Sequence, residues 1–195
     1  MSFTGIDANN SCNLLTRADI QRQFTLPNID KLFAVDWYKP PLSIWLKRLK
    51  YQQRMYYQKA ITQLIVQHLA HASTTPNWQW PDIISPVPCA PAKLLWRGFN
   101  QVASLWQHAL PNELFMTNLL SRSHSFHPQA SLNAAQRRKN LKHVFKLHGD
   151  VSNKHVVLVD DILTTGSTAN TVAKLLKDAN AASVAVWVVC LTPKE

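Results

Sequence analysis

Apolar residues recur along this chain with two different periods, and the change from one to the other divides it. Leu42, Trp45, Leu46 and Leu49 fall at helical spacing, which predicts a short amphipathic helix with Lys47, Arg48 and Lys50 largely on its other face. The same spacing runs from about Met55 to Ala72 through Tyr57, Ile61, Leu64, Ile65 and Leu69, and predicts the longest helix. Ser73 to Asn77 reads as a linker. Beyond it, Asp82 to Val87 is the first core strand expected, ended by prolines at 86, 88 and 91.

Val102, Leu105, Trp106 and Ala109 mark another helix stopped by Pro111, and Leu114 to Leu120 is predicted as a second strand. The chain then turns polar and basic. Residues from about Ser121 to Asn140 carry no firm strand signal, contain Pro128, and are long enough for a mobile functional loop. Lys154 to Val159 is a buried strand, Val172, Leu175, Leu176 and Ala179 give a helix its apolar stripe, and Ser183 to Leu191 is a further buried strand. Strand and helix alternate from Asp82 onward. The expected fold is therefore α/β, a mostly parallel sheet flanked by helices, with residues 1–75 as an N-terminal helical extension and 76–195 as the α/β domain.

Composition agrees with a packed domain. Of 195 residues, 46% are hydrophobic and 16% charged, enough to bury a substantial core. No apolar run approaches the ~18 residues needed to span a bilayer, and the polar start Met1-Ser2-Phe3-Thr4-Gly5-Ile6-Asp7 lacks the pattern of a signal peptide. The expectation is a cytoplasmic protein without membrane insertion. Cys12, Cys89 and Cys190 are far apart and form no Cys-x-x-Cys pair, so they read as ordinary reduced thiols.

A net charge of +10 changes the picture by pointing to an anionic partner. No acidic residue lies between Glu113 and Asp150, whereas Arg122, Arg137, Arg138, Lys139, Lys142 and Lys146 do. Lys47, Arg48, Lys50 and Arg54 form a second cluster, each run also readable as a solvated face.

The chemistry concentrates in Val156-Val157-Leu158-Val159-Asp160-Asp161-Ile162-Leu163-Thr164-Thr165-Gly166-Ser167-Thr168. Branched apolar residues make a buried parallel strand that stops at two carboxylates, delivering them to the sheet edge where α/β folds bind ligands. A loop of hydroxyl residues with one glycine follows and opens a helix, whose N–H groups and dipole favour a phosphate. No Gly-x-x-x-x-Gly-Lys-Ser/Thr is present, which excludes a simple nucleotide P-loop. Two acids beside a phosphate nest suit the vicinal hydroxyls of a ribose 5-phosphate. The stretch resembles the phosphoribosyl pyrophosphate (PRPP) signature of type I phosphoribosyltransferases.

Further segments narrow the resemblance. Arg97-Gly98-Phe99-Asn100-Gln101, Gln129-x-x-Leu132, Arg137-Arg138-Lys139-Asn140-Leu141 with Phe145, and Trp45-Leu46-Lys47-Arg48-Leu49-Lys50-Tyr51 together resemble the ComF/GntX family from roughly Leu32 onward. Members commonly begin with a four-cysteine zinc module. Only Cys12 stands in the first 88 residues here, so no zinc is expected.

The resemblance implies phosphoribosyl transfer with PRPP and Mg²⁺. Asp160 and Asp161 would grip the ribose hydroxyls, and Thr164, Thr165, Gly166, Ser167 and Thr168 would bind the 5-phosphate. Arg97, after the first strand, is the candidate for the pyrophosphate as a bidentate donor. Arg137, Arg138 and Asn140 are lid candidates. Magnesium would be held mainly by substrate oxygens, with no metal site built from protein ligands. The resemblance also implies a competing role in handling single-stranded DNA for natural transformation, with PRPP as a regulatory ligand.

Other constellations are set aside. His68 and His71 lack a third ligand nearby. His124 and His127 are weak acid/base candidates. Trp78 and Trp80 are the pair considered for an exposed stacking platform.

Overall fold

In a computed structural model that describes residues 13–52, 55–75, 78–89, 100–123 and 144–193, the elements follow in the order α1 (Ala18–Gln23), β1 (Lys31–Trp37), α2 (Leu42–Gln52), α3 (Tyr56–Ala72), β2 (Ile83–Pro86), α4 (Gln101–Gln107), β3 (Leu120–Arg122), β4 (Phe145–Leu147), β5 (His155–Leu163), α5 (Ser167–Asp178) and β6 (Ser183–Leu191). Four strands form one sheet in the order β1-β6-β5-β2, every neighbouring pair parallel. The apolar runs of β5 and β6 explain their central place, because both of their faces must be covered. Val156 and Leu158 pack with α5 residues Val172 and Leu176 on one side. Val157 and Val159 pack with Leu46 of α2, Ile61 of α3 and Trp106 of α4 on the other. The result is an α/β/α sandwich, as the alternation of periods predicts.

The structure departs from the sequence reading in four places. The N-terminal third holds its helices and also contributes edge strand β1, whose Leu32 and Ala34 face one cluster while Val35 faces the other. The second strand expected over Leu114 to Leu120 does not form up to Leu119: only Phe115 bridges to Ile84, and the polar Thr117 and Asn118 turn out to solvent. Leu120–Arg122 instead pairs antiparallel with Phe145–Leu147, Ser121 facing Lys146. Of the expected mobile loop, only Ser121, Arg122 and Ser123 fall within the described residues.

The fourth departure shapes the site. Strand β5 does not stop at the carboxylates but continues to Leu163, because β6 keeps pairing with it, Asp160 opposite Val188 and Ile162 opposite Cys190. Strand β2 ends sooner, at the Pro86–Val159 pair. Asp160 and Asp161 therefore have a strand beside them on one side and an opening on the other.

The segment ahead of β1 is stitched to the sheet. Asp30 accepts a hydrogen bond from the Val184 N–H at 2.7 Å and lies 2.6 Å from the Lys177 ammonium. Asn28 donates its backbone and side-chain N–H groups to the Asn170 side-chain oxygen Oδ1, at 3.0 and 3.2 Å. Among the described residues no helix is long and apolar enough to cross a membrane.

Candidate functional site

Where β2 falls short, a cleft opens at the carboxyl edge of the sheet. Asp160, Asp161, Thr164 and Thr168 line it together with Val87, Pro88, Cys89, Arg122 and Lys50. The motif thus brings its two acids and two of its hydroxyls to one cavity, and the start of the segment after β2 forms the opposite wall.

Each acid is fixed differently. The Asp160 carboxylate accepts the Asp161 N–H at 2.8 Å, and its backbone carbonyl accepts the indole N–H of the fully buried Trp106 at 3.0 Å. Asp161 is 7% exposed, a costly place for a lone charge. Lys50 neutralises it, its ammonium 2.8 Å from the carboxylate. The sequence reading placed Lys50 on the solvated face of α2; its side chain is instead only 16% exposed. A clue was present, because Lys50 lies four residues after the buried Leu46 and so flanks the apolar stripe. Lys47 and Arg48 are exposed as expected. Arg122, read only as part of a basic run, also lines the cleft, its guanidinium 5.5 Å from the Phe145 ring centroid.

After the acids the chain makes a loop closed by a glycine in a conformation that L side chains rarely adopt. Gly166 has φ +73°, and a Cβ there would stand 2.3 Å from Leu26 Cδ2. Among the described residues no side chain caps the first turn of the helix that begins at Ser167 beyond Thr165 Oγ1, which accepts the Ser167 N–H at 3.3 Å. The first-turn N–H groups and the exposed Thr164, Thr165, Ser167 and Thr168 therefore form a positive, hydroxyl-rich rim suited to a phosphate.

Two further groups adjoin the acids. Burial raises the Tyr38 phenol above its usual value, with Cys190, Asp161 and Tyr51 adding to the effect, so Tyr38 stays a neutral O–H. Burial, reinforced by Asp36 and Asp161 and opposed by Lys50, also raises the Cys190 thiol strongly. Cys89 is half-buried in the cleft wall. In native protein at pH 8, an alkylating reagent is expected to modify Cys89 and spare Cys190, as read by peptide mass mapping. Labelling of both at equal rates would contradict this burial.

Asn100 caps α4 by accepting the N–H groups of Val102 and Ala103. The adjacent Gln101 is 2% exposed, and among the described residues neither of its amide atoms has a partner. Arg97, Arg137, Arg138 and Asn140 lie outside the described residues. Trp78 does not form an open platform: it stacks on Trp187 at 5.5 Å, and only Trp80, 44% exposed, faces out. His68 is spent on its own helix, Nδ1 lying 2.8 Å from the Leu64 carbonyl oxygen. Among the described residues, no three His, Cys, Asp or Glu side chains are grouped to hold a metal ion.

A parallel sheet ending in paired acids, a glycine-closed hydroxyl loop and an uncapped helix defines a type I phosphoribosyltransferase-like protein. Residues 109–195 match the family described as phosphoribosyl transferase domain. The chain is 36% identical over 172 residues to the DNA utilization protein YhgH of Escherichia coli strain K12, spanning 85% of this chain and 74% of that protein. It is 32% identical over 169 residues to Competence protein F of Haemophilus influenzae, spanning 83% and 72% respectively. Among solved structures, a hypoxanthine phosphoribosyltransferase from Staphylococcus aureus aligns with 67% of this chain and 62% of that chain, at 16% identity and a TM-score of 0.42. The chain belongs to the ComF/GntX family of phosphoribosyltransferase-like proteins.

Proposed function

We propose that this protein binds PRPP with magnesium and transfers the phosphoribosyl group to an acceptor, releasing pyrophosphate. The observation that carries the reading is the placement of Asp160, Asp161, Thr164 and Thr168 in one cleft beside the uncapped start of α5. In this reading the helix start and the hydroxyls of Thr164, Thr165, Ser167 and Thr168, with the Gly166 turn, hold the 5-phosphate. Asp160 and Asp161 accept hydrogen bonds from the ribose hydroxyls and fix C1 for attack. In the transfer, the acceptor's lone pair forms the new bond to C1. The C1–O bond to pyrophosphate breaks, and its electron pair leaves with the pyrophosphate. A proton carried by the acceptor nitrogen is lost to solvent or a base. Arg97 is assigned to the pyrophosphate, and Arg137, Arg138 and Asn140 to covering the bound ligand, on sequence alone.

Carboxylates and hydroxyls are the hard oxygen donors that magnesium prefers, so Asp160, Asp161, Thr164 and Thr168 would help hold an ion whose other ligands are substrate oxygens. Bound there, magnesium would offset the charge of the leaving pyrophosphate.

A second reading, single-stranded DNA handling with PRPP as a regulatory ligand, draws support from Lys47, Arg48, Tyr51 and Tyr56, exposed on α2 and α3 next to Lys50, and from the names of the relatives. Pyrophosphate release and oligonucleotide binding separate the two, with PRPP binding as the test of what they share. Calorimetric titration with PRPP and Mg²⁺ is expected to show saturable binding, and mixing with candidate acceptors to release pyrophosphate. A labelled oligonucleotide titrated across a salt series is expected to bind negligibly at low salt if transfer is the function, and to show a steep loss with salt if DNA is the ligand. Absence of PRPP binding would sink both readings.

A further inference from the structure

Lys50 enters the cleft from the layer opposite the phosphate loop. The loop and α5 pack on one face of the sheet, with Ala169 and Val172 in one apolar cluster, whereas Leu46 and Leu49 anchor α2 in the other. The two carboxylates lie at the sheet edge between these layers. A ligand held by the phosphate loop at one end and by the carboxylates at its centre would extend from there to the Lys50 side. We propose that Lys50 is a counter-ion that changes partner: without ligand it neutralises Asp161, and with ligand its ammonium moves to the second anionic end, the pyrophosphate, and leaves Asp161 to accept from the ribose. This rests on the PRPP reading and adds to it a residue that recognises the leaving group.

Three observations carry it. The Lys50–Asp161 contact of 2.8 Å occupies the acid that the ribose needs, so binding must rearrange the pair. Both side chains are largely buried, 16% and 10% exposed, so neither charge can simply turn to water when the pair opens. The ammonium sits on a flexible four-carbon stem while the buried Leu49 holds the backbone, so the charge can move without moving the helix. An anionic ligand end replaces Asp161 as the partner of Lys50, and the magnesium brought with the ligand compensates the carboxylate.

The test compares two ligands that share a ribose 5-phosphate and differ in the pyrophosphate. Affinities for PRPP and for ribose 5-phosphate are measured by calorimetry at fixed free Mg²⁺ for the wild type, Lys50→Met and Lys50→Arg. Lys50→Met should lose about tenfold or more in PRPP affinity, as expected for one charge-assisted contact, and change ribose 5-phosphate affinity little. Lys50→Arg should restore most of the loss. Because Lys50→Met strands a buried carboxylate, Lys50→Gln, which keeps a donor toward Asp161 without the charge, is the second variant and should show the same selective loss. A merely structural role would weaken both ligands equally, and that result, or unchanged PRPP affinity in both neutral variants, overturns the proposal. If the wild type itself binds no PRPP, the underlying reading fails instead.

Discussion

Changing Asp160 and Asp161 together to Asn is expected to abolish the rise in melting temperature that saturating PRPP and Mg²⁺ produce in the wild type. A ligand at a hundred times its Kd stabilises the folded state by ~2.7 kcal/mol, and a chain of this size gains ~2–4 °C per kcal/mol, so the wild-type shift should be roughly 5–10 °C. Asn keeps the shape of Asp but carries no charge and offers one acceptor oxygen in place of two, so it cannot reproduce a carboxylate's grip on paired hydroxyls. The single variants should separate by their unliganded stability. Asp161→Asn leaves the Lys50 ammonium without its counter-charge in a site where that side chain is only 16% exposed, and should lower the basal melting temperature. Asp160→Asn retains a side-chain oxygen to accept the Asp161 N–H and should lower it less. An undiminished PRPP shift in the double variant, read by differential scanning fluorimetry, would show that the ribose is held elsewhere.

The parts of this protein legible in its sequence are those that local chain chemistry specifies. Val156 to Thr168 states its strand, acids, turn and helix in order, since each needs only its own neighbours. Gly166 is the clearest case: its positive φ favours glycine, and a Cβ there would also have to displace the Leu26 side chain. Helices α2 and α3 followed from periodicity because their apolar stripes are long enough to read, and strand β6 from its continuous apolar run.

What sequence reading missed depends on partners far along the chain. The β3–β4 pair has three residues a strand, too few for a period to show, and its apolar members Leu120 and Phe145 are held by tertiary packing. Strand β1 has the alternation of a buried strand but lies in a stretch dominated by helical signals, and its place beside β6 is set by the register Leu32–Val186 and Ala34–Val188. The extension of β5 beyond the acids is likewise decided by the length of β6. At the site, Lys50 and Arg122 join Asp160 and Asp161 only through the fold, so charge clustering alone made them look like solvent-facing residues.

Trp106 links that buried architecture to the chemistry. Trp106→Ala is expected to cost ~3–5 kcal/mol, the range for deleting a fully buried large aromatic, and to lower the melting temperature by roughly 10 °C. The site reason is as strong as the packing reason. The indole lies between α4 and the sheet, 6.4 Å from the Trp187 ring, and its N–H donates to the Asp160 backbone carbonyl at the point where β5 has lost β2 as a neighbour. That hydrogen bond does for β5 what a further residue of β2 would do, fixing the peptide that carries both carboxylates. Trp106→Phe isolates this second role. It keeps most of the apolar contact but removes the donor, so it should cost only ~1–3 kcal/mol for the unsatisfied carbonyl while weakening PRPP binding beyond what that loss of stability explains. Thermal melts and calorimetric titrations of both variants measure the two effects separately. A Trp106→Ala protein melting within about 2 °C of the wild type would refute its place in the core, since that drop corresponds to less than ~1 kcal/mol. A Trp106→Phe protein with unchanged PRPP affinity would show that the carboxylates hold their position without the indole.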